Sequence, residues 1–140
     1  MVLRPSQKLA AKINVGKLSE LPIDENPFAD WSCRLFIASR TQYILLSNTP
    51  SLYSCVMYGK GISDDAPFID RALDCIREFM EDDGLKNVYQ KLIAPATACV
   101  TFGKALNRKV TGSMNDLVFG AKLHLADDLH LVIDVTGEVR

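Results

Sequence analysis

Hydrophobic and polar residues alternate in three stretches of the first half of the chain, and this period of two predicts β-strands. The stretches are residues 31–38, 43–48 and 51–58. A polar break over residues 39–42 separates the first two, so we expect a β-hairpin with a loop of about four residues. Apolar side chains occur on both faces of these stretches, which indicates a sheet that is at least partly covered on each side.

A helical period follows. Hydrophobic residues over 68–80 recur at intervals of three and four while acidic residues occupy the other face, which predicts an amphipathic helix. Pro67 has no N–H and suits the first turn, so we expect the N-cap at Asp64 or Asp65. Gly84 is well placed for the left-handed exit of the chain at the C-terminal end of the helix.

Shorter patterns predict four more elements. Ser6 caps a short N-terminal helix, and residues 85–93 form the second member of a helix pair. Residues 98–102 alternate and predict a fourth strand, which returns to the sheet after the helical crossover. Residues 129–135 alternate strictly and predict a fifth strand or an edge extension.

A last helix is predicted over residues 113–126. Ser113 and Asp116 have the spacing of a capping box, which indicates that the helix begins at Ser113. Gly120 lies in the middle of this helix and costs about 1 kcal/mol relative to alanine, so we expect close backbone packing there.

These elements together predict one α+β domain over residues 1–140. We expect a mainly antiparallel sheet of four to five strands with three substantial helices packed on it, and a short N-terminal helix.

Composition and charge narrow the class of protein. The 140 residues are 48% hydrophobic and 24% charged, as in an ordinary globular domain. Sixteen basic residues against seventeen acidic ones leave no general attraction to nucleic acid. We expect no membrane span, since apolar runs are short, and no export signal, since the start turns polar early, so the prediction is a cytoplasmic protein.

Metal and redox motifs are not evident in the sequence. The four cysteines show no Cys-x-x-Cys spacing, and we expect them to be buried free thiols. The two histidines, His124 and His130, lack a cluster of further ligands at suitable spacing. The prediction is therefore no metal and no cofactor.

The predicted start of the last helix is the best candidate for chemistry, because unpaired N–H groups at a helix N-terminus attract anions. Ordinary helix capping explains the same residues, and we prefer that interpretation. The candidate functional surface is Ser113, Asn115 and Asp116, and the candidate anion-binding residues are Lys104, Arg108 and Lys109.

Aromatic residues on the predicted strands offer a second hypothesis. Phe36, Tyr43, Tyr53 and Tyr58 are of the type that stacks on single-stranded nucleic acid, and Arg34 is near them in sequence. If the sheet is covered, the same rings belong to the core, and we prefer this second interpretation.

Several short segments resemble a bacterial family of unknown function recognised by a Ser-Met-Asn-Asp segment. They are Gln-Lys-Leu at residues 7–9, Asn-Thr-Pro-Ser-Leu-Tyr-Ser at 48–54, Leu-Ile-Ala-Pro at 92–95, and Gly-Ser-Met-Asn-Asp-Leu at 112–117 followed by Ala-Lys at 121–122. The resemblance covers roughly residues 3–125. It implies a bacterial origin and brings no activity, substrate or catalytic residue with it.

The function that we expect is a non-catalytic binding or interaction module. The alternative is an enzyme that acts on a phosphate-containing or nucleic-acid substrate at the N-terminus of the 113–126 helix. The partner is unknown; self-association, an anionic ligand and nucleic acid remain open, and we expect no membrane partner.

Overall fold

The computed structural model describes residues 1–106 and 108–127, which form an α+β structure around a five-stranded mixed sheet. The strand order is β4-β3-β2-β1-β5. The strands are β1 (Val2–Pro5), β2 (Asp30–Ala38), β3 (Thr41–Asn48), β4 (Ser54–Tyr58) and β5 (Thr101–Phe102). The helices are α1 (Gln7–Lys12), α2 (Asp65–Asp82), α3 (Lys86–Val88) and α4 (Arg108–Asp127).

The sheet confirms the α+β class and corrects its details. β2, β3 and β4 pair antiparallel, as predicted, but β1 pairs parallel with both β2 and β5. β1 was not predicted, because its four residues include a charge and a proline and become a strand only through these distant pairings. The predicted fourth strand is reduced to the two residues of β5, and the predicted strand over 129–135 lies outside the described residues.

The β2–β3 hairpin has a tighter turn than predicted. Only Ser39 and Arg40 separate the strands, and their φ angles are +48° and +63°. Two positive φ values give the turn the twist that matches two antiparallel strands. The four-residue loop was predicted because neither residue is the glycine or asparagine that usually announces such a turn.

One face of the sheet carries the main hydrophobic core. Trp31, Leu46 and Met57 project from three neighbouring strands onto this face, where α1 and α2 cover them. Ser6 caps α1 by accepting a hydrogen bond from the Leu9 N–H, as predicted. The N-cap of α2 is Asp64, one of the two predicted residues.

The predicted second helix of the pair is helical but not regular. A single α turn, α3, continues as a π-helix over Tyr89–Ile93 and then as a 3-10 helix over Ala94–Ala98. Pro95 lies at the start of the 3-10 segment and cannot donate a main-chain hydrogen bond. In the described part of the chain, α2 and α4 are thus the two long regular helices, and the third predicted helix is this irregular helical segment.

The opposite face of the sheet is covered by α4. Phe36, Tyr43 and Leu45 on this face pack against Met114 and Val118 of the helix. Val110 packs against the same cluster one turn earlier. The predicted start at Ser113 is therefore wrong: α4 begins at Arg108, because the buried stripe extends back through Val110.

The structure also corrects the explanation offered for Gly120. A side chain at this position would meet nothing within 4 Å, so no close approach within the described chain requires the glycine.

A buried ion pair joins β1 to the start of β2. The guanidinium of Arg4 donates from Nε and Nη2 to the two carboxylate oxygens of Asp30, each at 2.9 Å. Its remaining N–H groups donate to the carbonyls of Leu21, Pro22 and Lys104 at 2.8 to 3.0 Å. All five donors of the guanidinium therefore have acceptors, although the residue is only 1% exposed.

The Asp30 carboxylate is held ionised by its surroundings. Burial raises its pKa. Hydrogen bonds from Arg4, the Thr49 side chain and the Asp24 N–H lower the pKa by more than burial raises it, so the net pKa lies below the ordinary value of 3.8. A carboxylate with a lowered pKa stabilises the fold above its unfolded pKa, and this stabilisation is lost as the pH falls through the folded value.

We expect Asp30→Asn to lower the free energy of unfolding by about 3 kcal/mol near pH 7, because it leaves a buried guanidinium without its countercharge. The difference from the native chain should shrink as the pH falls below about 4, since the unfolded chain then gains a proton on Asp30 that the folded carboxylate, with its lowered pKa, does not. Urea unfolding at a series of pH values measures both effects. An equal difference at every pH would contradict the assignment of the ionised state.

Candidate functional site

The Ser-Met-Asn-Asp segment lies inside α4 and not at its end. Residues 113–116 begin in the second turn of the helix, so the N–H of Ser113 is not one of the unpaired terminal groups. The side chains point in three directions: Met114 is buried against the sheet, Ser113 is half-buried, and Asn115 and Asp116 are exposed. The capping role predicted for Ser113 is therefore wrong. An anion site at this position would not lie at a helix N-terminus.

One cleft borders α4 on the side of Ser113. We call it the Ser113 cleft; it has a volume of about 280 Å³. Ser113 and Lys109 line it from the helix, and Thr49 lines it from the turn after β3. The other lining residues are Ile23, Pro50, Leu52, Leu106 and Val110.

The turn that forms the far wall of this cleft is held by Asn48. Its side-chain oxygen accepts from the N–H and the hydroxyl of Ser51 at 3.1 and 2.7 Å, and its amide nitrogen donates to the Pro27 carbonyl at 2.9 Å. The backbone of Leu52 has a φ of +62°, a conformation that residues other than glycine rarely adopt. These bonds explain how the chain holds Thr49 and Leu52 opposite α4.

A second opening lies on the other flank of α4, and we call it the Arg34 cavity. Its volume is about 370 Å³. The Arg34 guanidinium contacts the side-chain oxygen of Asn115 through Nη1, which links β2 to α4. The lining residues are Ser6, Gln7, Lys8, Cys33, Arg34, Leu35, Ala105 and Met114.

Two of the predicted anion-binding residues, Lys104 and Lys109, do not converge. Lys109 lines the Ser113 cleft, whereas the exposed Lys104 borders two other depressions near residues 18–22. The Lys104 carbonyl, rather than its ammonium group, is engaged, as an acceptor for Arg4. Arg108 is the first residue of α4. Ser113 lines the Ser113 cleft, Asn115 contacts Arg34 of the other opening, and Asp116 lines neither of the two.

Hydroxyl side chains lie on β2, β3 and β4 and in the turn after β3. The Ser32 and Thr49 hydroxyls lie 2.8 Å apart, and those of Ser47 and Ser54 lie 2.6 Å apart. Ser54 also donates to the Leu52 carbonyl at 2.8 Å. These hydroxyls hydrogen-bond to one another and to the main chain, which satisfies them in a buried position.

The aromatic residues form core contacts, as we preferred. Phe36, Tyr43 and Tyr58 stack in a row across three strands, with ring centroids 5.5 and 5.2 Å apart, and Tyr43 is only 4% exposed. Tyr53 stands apart from this row, contacts Trp31 edge to face, and donates its hydroxyl to Asp83 at 2.5 Å. Burial and the Asp83 carboxylate raise the pKa of Tyr53.

The cysteines agree with the expectation in three of four cases. Cys33, Cys55 and Cys75 are buried free thiols, but Cys99 is exposed, because the short β5 does not enclose it. In the part of the chain that the structure describes, no three histidine, cysteine or carboxylate side chains lie close enough together to hold a metal ion.

Sequence reasoning missed the residues that complete the two openings. Lys8 looks like an ordinary lysine on the polar side of a short helix, and only the fold brings it near Arg34. Thr49 is hidden in the same way, because its neighbours across the cleft are more than fifty residues away in sequence. Both residues lie in segments that carry the family resemblance, but no local signal there marks either residue as part of an opening.

Comparison with family models now adds one finding. The model of a domain of unknown function, DUF6933, matches residues 2–136. The chain belongs to the DUF6933 family. No curated protein and no solved structure matches the DUF6933 chain. Among its described helices, none has the length and apolar character that a bilayer crossing requires.

We expect Ser113→Ala in the DUF6933 chain to change the free energy of unfolding by less than about 0.5 kcal/mol, because Ser113 lies inside α4 and alanine favours a helix. Ser6→Ala is the matched control and should cost about 1 kcal/mol, since Ser6 does cap a helix. Urea unfolding of the native chain and both variants measures these differences in the free energy of unfolding. A cost at Ser113 that equals the cost at Ser6 would restore the capping role.

Proposed function

We propose that this DUF6933 chain is a non-catalytic module that binds a small ligand beside the first half of α4. The ligand site is bounded by residues 109–115 of α4, together with the turn after β3 on one flank and the first turn of α1 on the other. This proposal keeps the Ser-Met-Asn-Asp segment as the functional surface and replaces the helix N-terminus with the flanks of the helix.

The observation that carries the proposal is the convergence of three distant segments. Residues 7–9, 48–54 and 112–117 prompted the resemblance to a family, and parts of all three line the two openings beside α4. The first segment contributes to the Arg34 cavity, the second to the Ser113 cleft, and the third to both. Only the segment at 92–95 lies elsewhere, where the Leu92 carbonyl accepts from Asn26.

A role in binding rather than catalysis is supported by how the reactive groups are occupied. Asp30 is paired with Arg4, and the hydroxyls of Ser32 and Thr49 are bonded to each other. Burial raises the pKa of the Cys33 thiol, so the nucleophilic thiolate is suppressed. The open polar groups, Lys109 and Ser113, can bind an anion or a hydrogen-bonding ligand without any further chemistry.

We also propose that the module works in the bacterial cytoplasm. The four cysteines are unpaired thiols, and thiols persist most readily in a reducing compartment.

The test is a titration of the isotope-labelled chain with three separate probes, inorganic phosphate, AMP and octanoate, followed by two-dimensional amide NMR. We expect at least one probe to give saturable shifts at residues 109–117 and at the wall that faces them. The phosphorus spectrum of AMP should stay unchanged on long incubation, because a binding module does not consume its ligand.

The outcomes separate the alternatives. Conversion of AMP would favour the enzyme that acts on a phosphate-containing substrate. Shifts that avoid α4 with all three probes would contradict the proposed site. Lys60→Gln provides the control for non-specific effects of charge, since Lys60 is exposed and lines neither opening.

A further inference from the structure

The Arg34 cavity lies where the sheet loses a strand. β1 pairs with β2 only as far as Pro5 opposite Cys33, whereas β2 continues to Ala38. The chain leaves β1 at Ser6 and enters α1, so a gap opens beside β2. The cavity of about 370 Å³ is this gap, closed on the far side by Met114 of α4. Its volume is within the range of about 300 to 1,000 Å³ that is usual for small-molecule sites.

The edge of β2 offers main-chain hydrogen bonds to this gap. The Cys33 carbonyl points toward β1, where it accepts from the Ser6 N–H at 2.8 Å. Main-chain groups two residues apart on a strand point to the same side. The N–H and carbonyl of Leu35 therefore face the cavity, beyond the last residue of β2 that pairs with β1.

Among the described residues, two cations and no carboxylate line the cavity. Lys8 stands on the first turn of α1, and Arg34 projects from β2. A guanidinium has five N–H donors, and the contact of Arg34 with Asn115 uses Nη1 on an uncharged amide oxygen. An anion would give this guanidinium a stronger, charge-assisted partner than the amide does.

Beside Ser6 and Gln7, the lining also has an apolar part. Leu35, Ala105 and Met114 surround the cations, and Met114 is buried in the contact between α4 and the sheet. A free inorganic anion would leave this surface uncovered, while a neutral apolar molecule would leave the cations without a partner. Leu35 is the last residue of β2 that lines the cavity, and so short a stretch of edge suits a small molecule better than an extended peptide.

We propose that the Arg34 cavity binds an amphiphilic anion, a carboxylate or phosphate monoester attached to an apolar group. The anionic group lies between Lys8, Arg34 and the Leu35 N–H, and the apolar group lies on Ala105 and Met114. The Asn115 amide holds the place of the anion on Arg34 and is released when the ligand binds. This inference rests on the proposed binding function. It specifies on which flank of α4 the ligand binds and to which chemical class the ligand belongs.

The test is calorimetric and NMR titration of the full chain with octanoate and octyl phosphate, kept below micellar concentrations. Octan-1-ol supplies the same chain without the charge, and acetate supplies the charge without the chain. We expect one of the two amphiphilic anions to bind at least tenfold more tightly than either fragment. The amide shifts should centre on residues 6–8, 34–35 and 114–115. The order of the two anions identifies the anionic group.

Variants test the three polar contributions. Arg34→Gln and Lys8→Gln should each weaken binding of the amphiphilic anion, Arg34→Gln by about tenfold, and leave binding of octan-1-ol unchanged. Lys8 is exposed, so its variant tests the site even if Arg34→Gln is unstable. Asn115→Ala should tighten binding by about fivefold, because no amide then has to be displaced. Lys60→Gln is the matched control and should bind as the native chain does.

Three results would overturn the inference: equal binding of octanoate, octyl phosphate and octan-1-ol, unchanged anion binding in both cation variants, or shifts centred on the Ser113 cleft. In the last case the module still binds beside α4, and only the assigned flank and ligand class are wrong. The absence of any α4 shift with these probes, inorganic phosphate and AMP would contradict the proposed function itself.

Discussion

A guanidinium that is shielded from water needs an acceptor for each of its five N–H groups, and Arg4 finds them in three parts of the chain. Asp30 accepts two of the hydrogen bonds, the carbonyls of Leu21 and Pro22 accept two more, and the Lys104 carbonyl accepts the last. Removal of the charge on either side would leave the other charge buried without a partner. The long irregular connection before β2 and the segment before α4 are thereby fixed to one strand.

The Lys104 carbonyl that accepts from Arg4 lies four residues before α4. The apolar contacts of Val110, Met114 and Val118 hold the helix on the sheet. Openings lie on both flanks of the helix, bordered by Ala105 on one side and Leu106 on the other.

The elements that local patterns determine could be predicted from the sequence, and those that depend on distant pairing could not. The amphipathic α2 and the cap at Ser6 follow from residues within one or two turns. β1 becomes a strand only because β2 and β5 flank it. The start of α4 was misplaced because a serine before an apolar stripe suggests a cap, whereas burial of Val110 extends the helix. Ser113 itself was identified, but its companion Thr49 is brought to it by the fold alone.

The most direct test of this account is native-state amide hydrogen exchange in an Arg4→Lys variant, because an ammonium has three donors and cannot serve every acceptor. The account predicts faster exchange at the N–H groups of Asp24 and Lys104, which bond to Asp30 and to the Ser19 carbonyl. The Leu45 N–H in the β2–β3 pairing should keep its protection. Unchanged protection at Asp24 and Lys104, or an equal loss at all three sites, would contradict it.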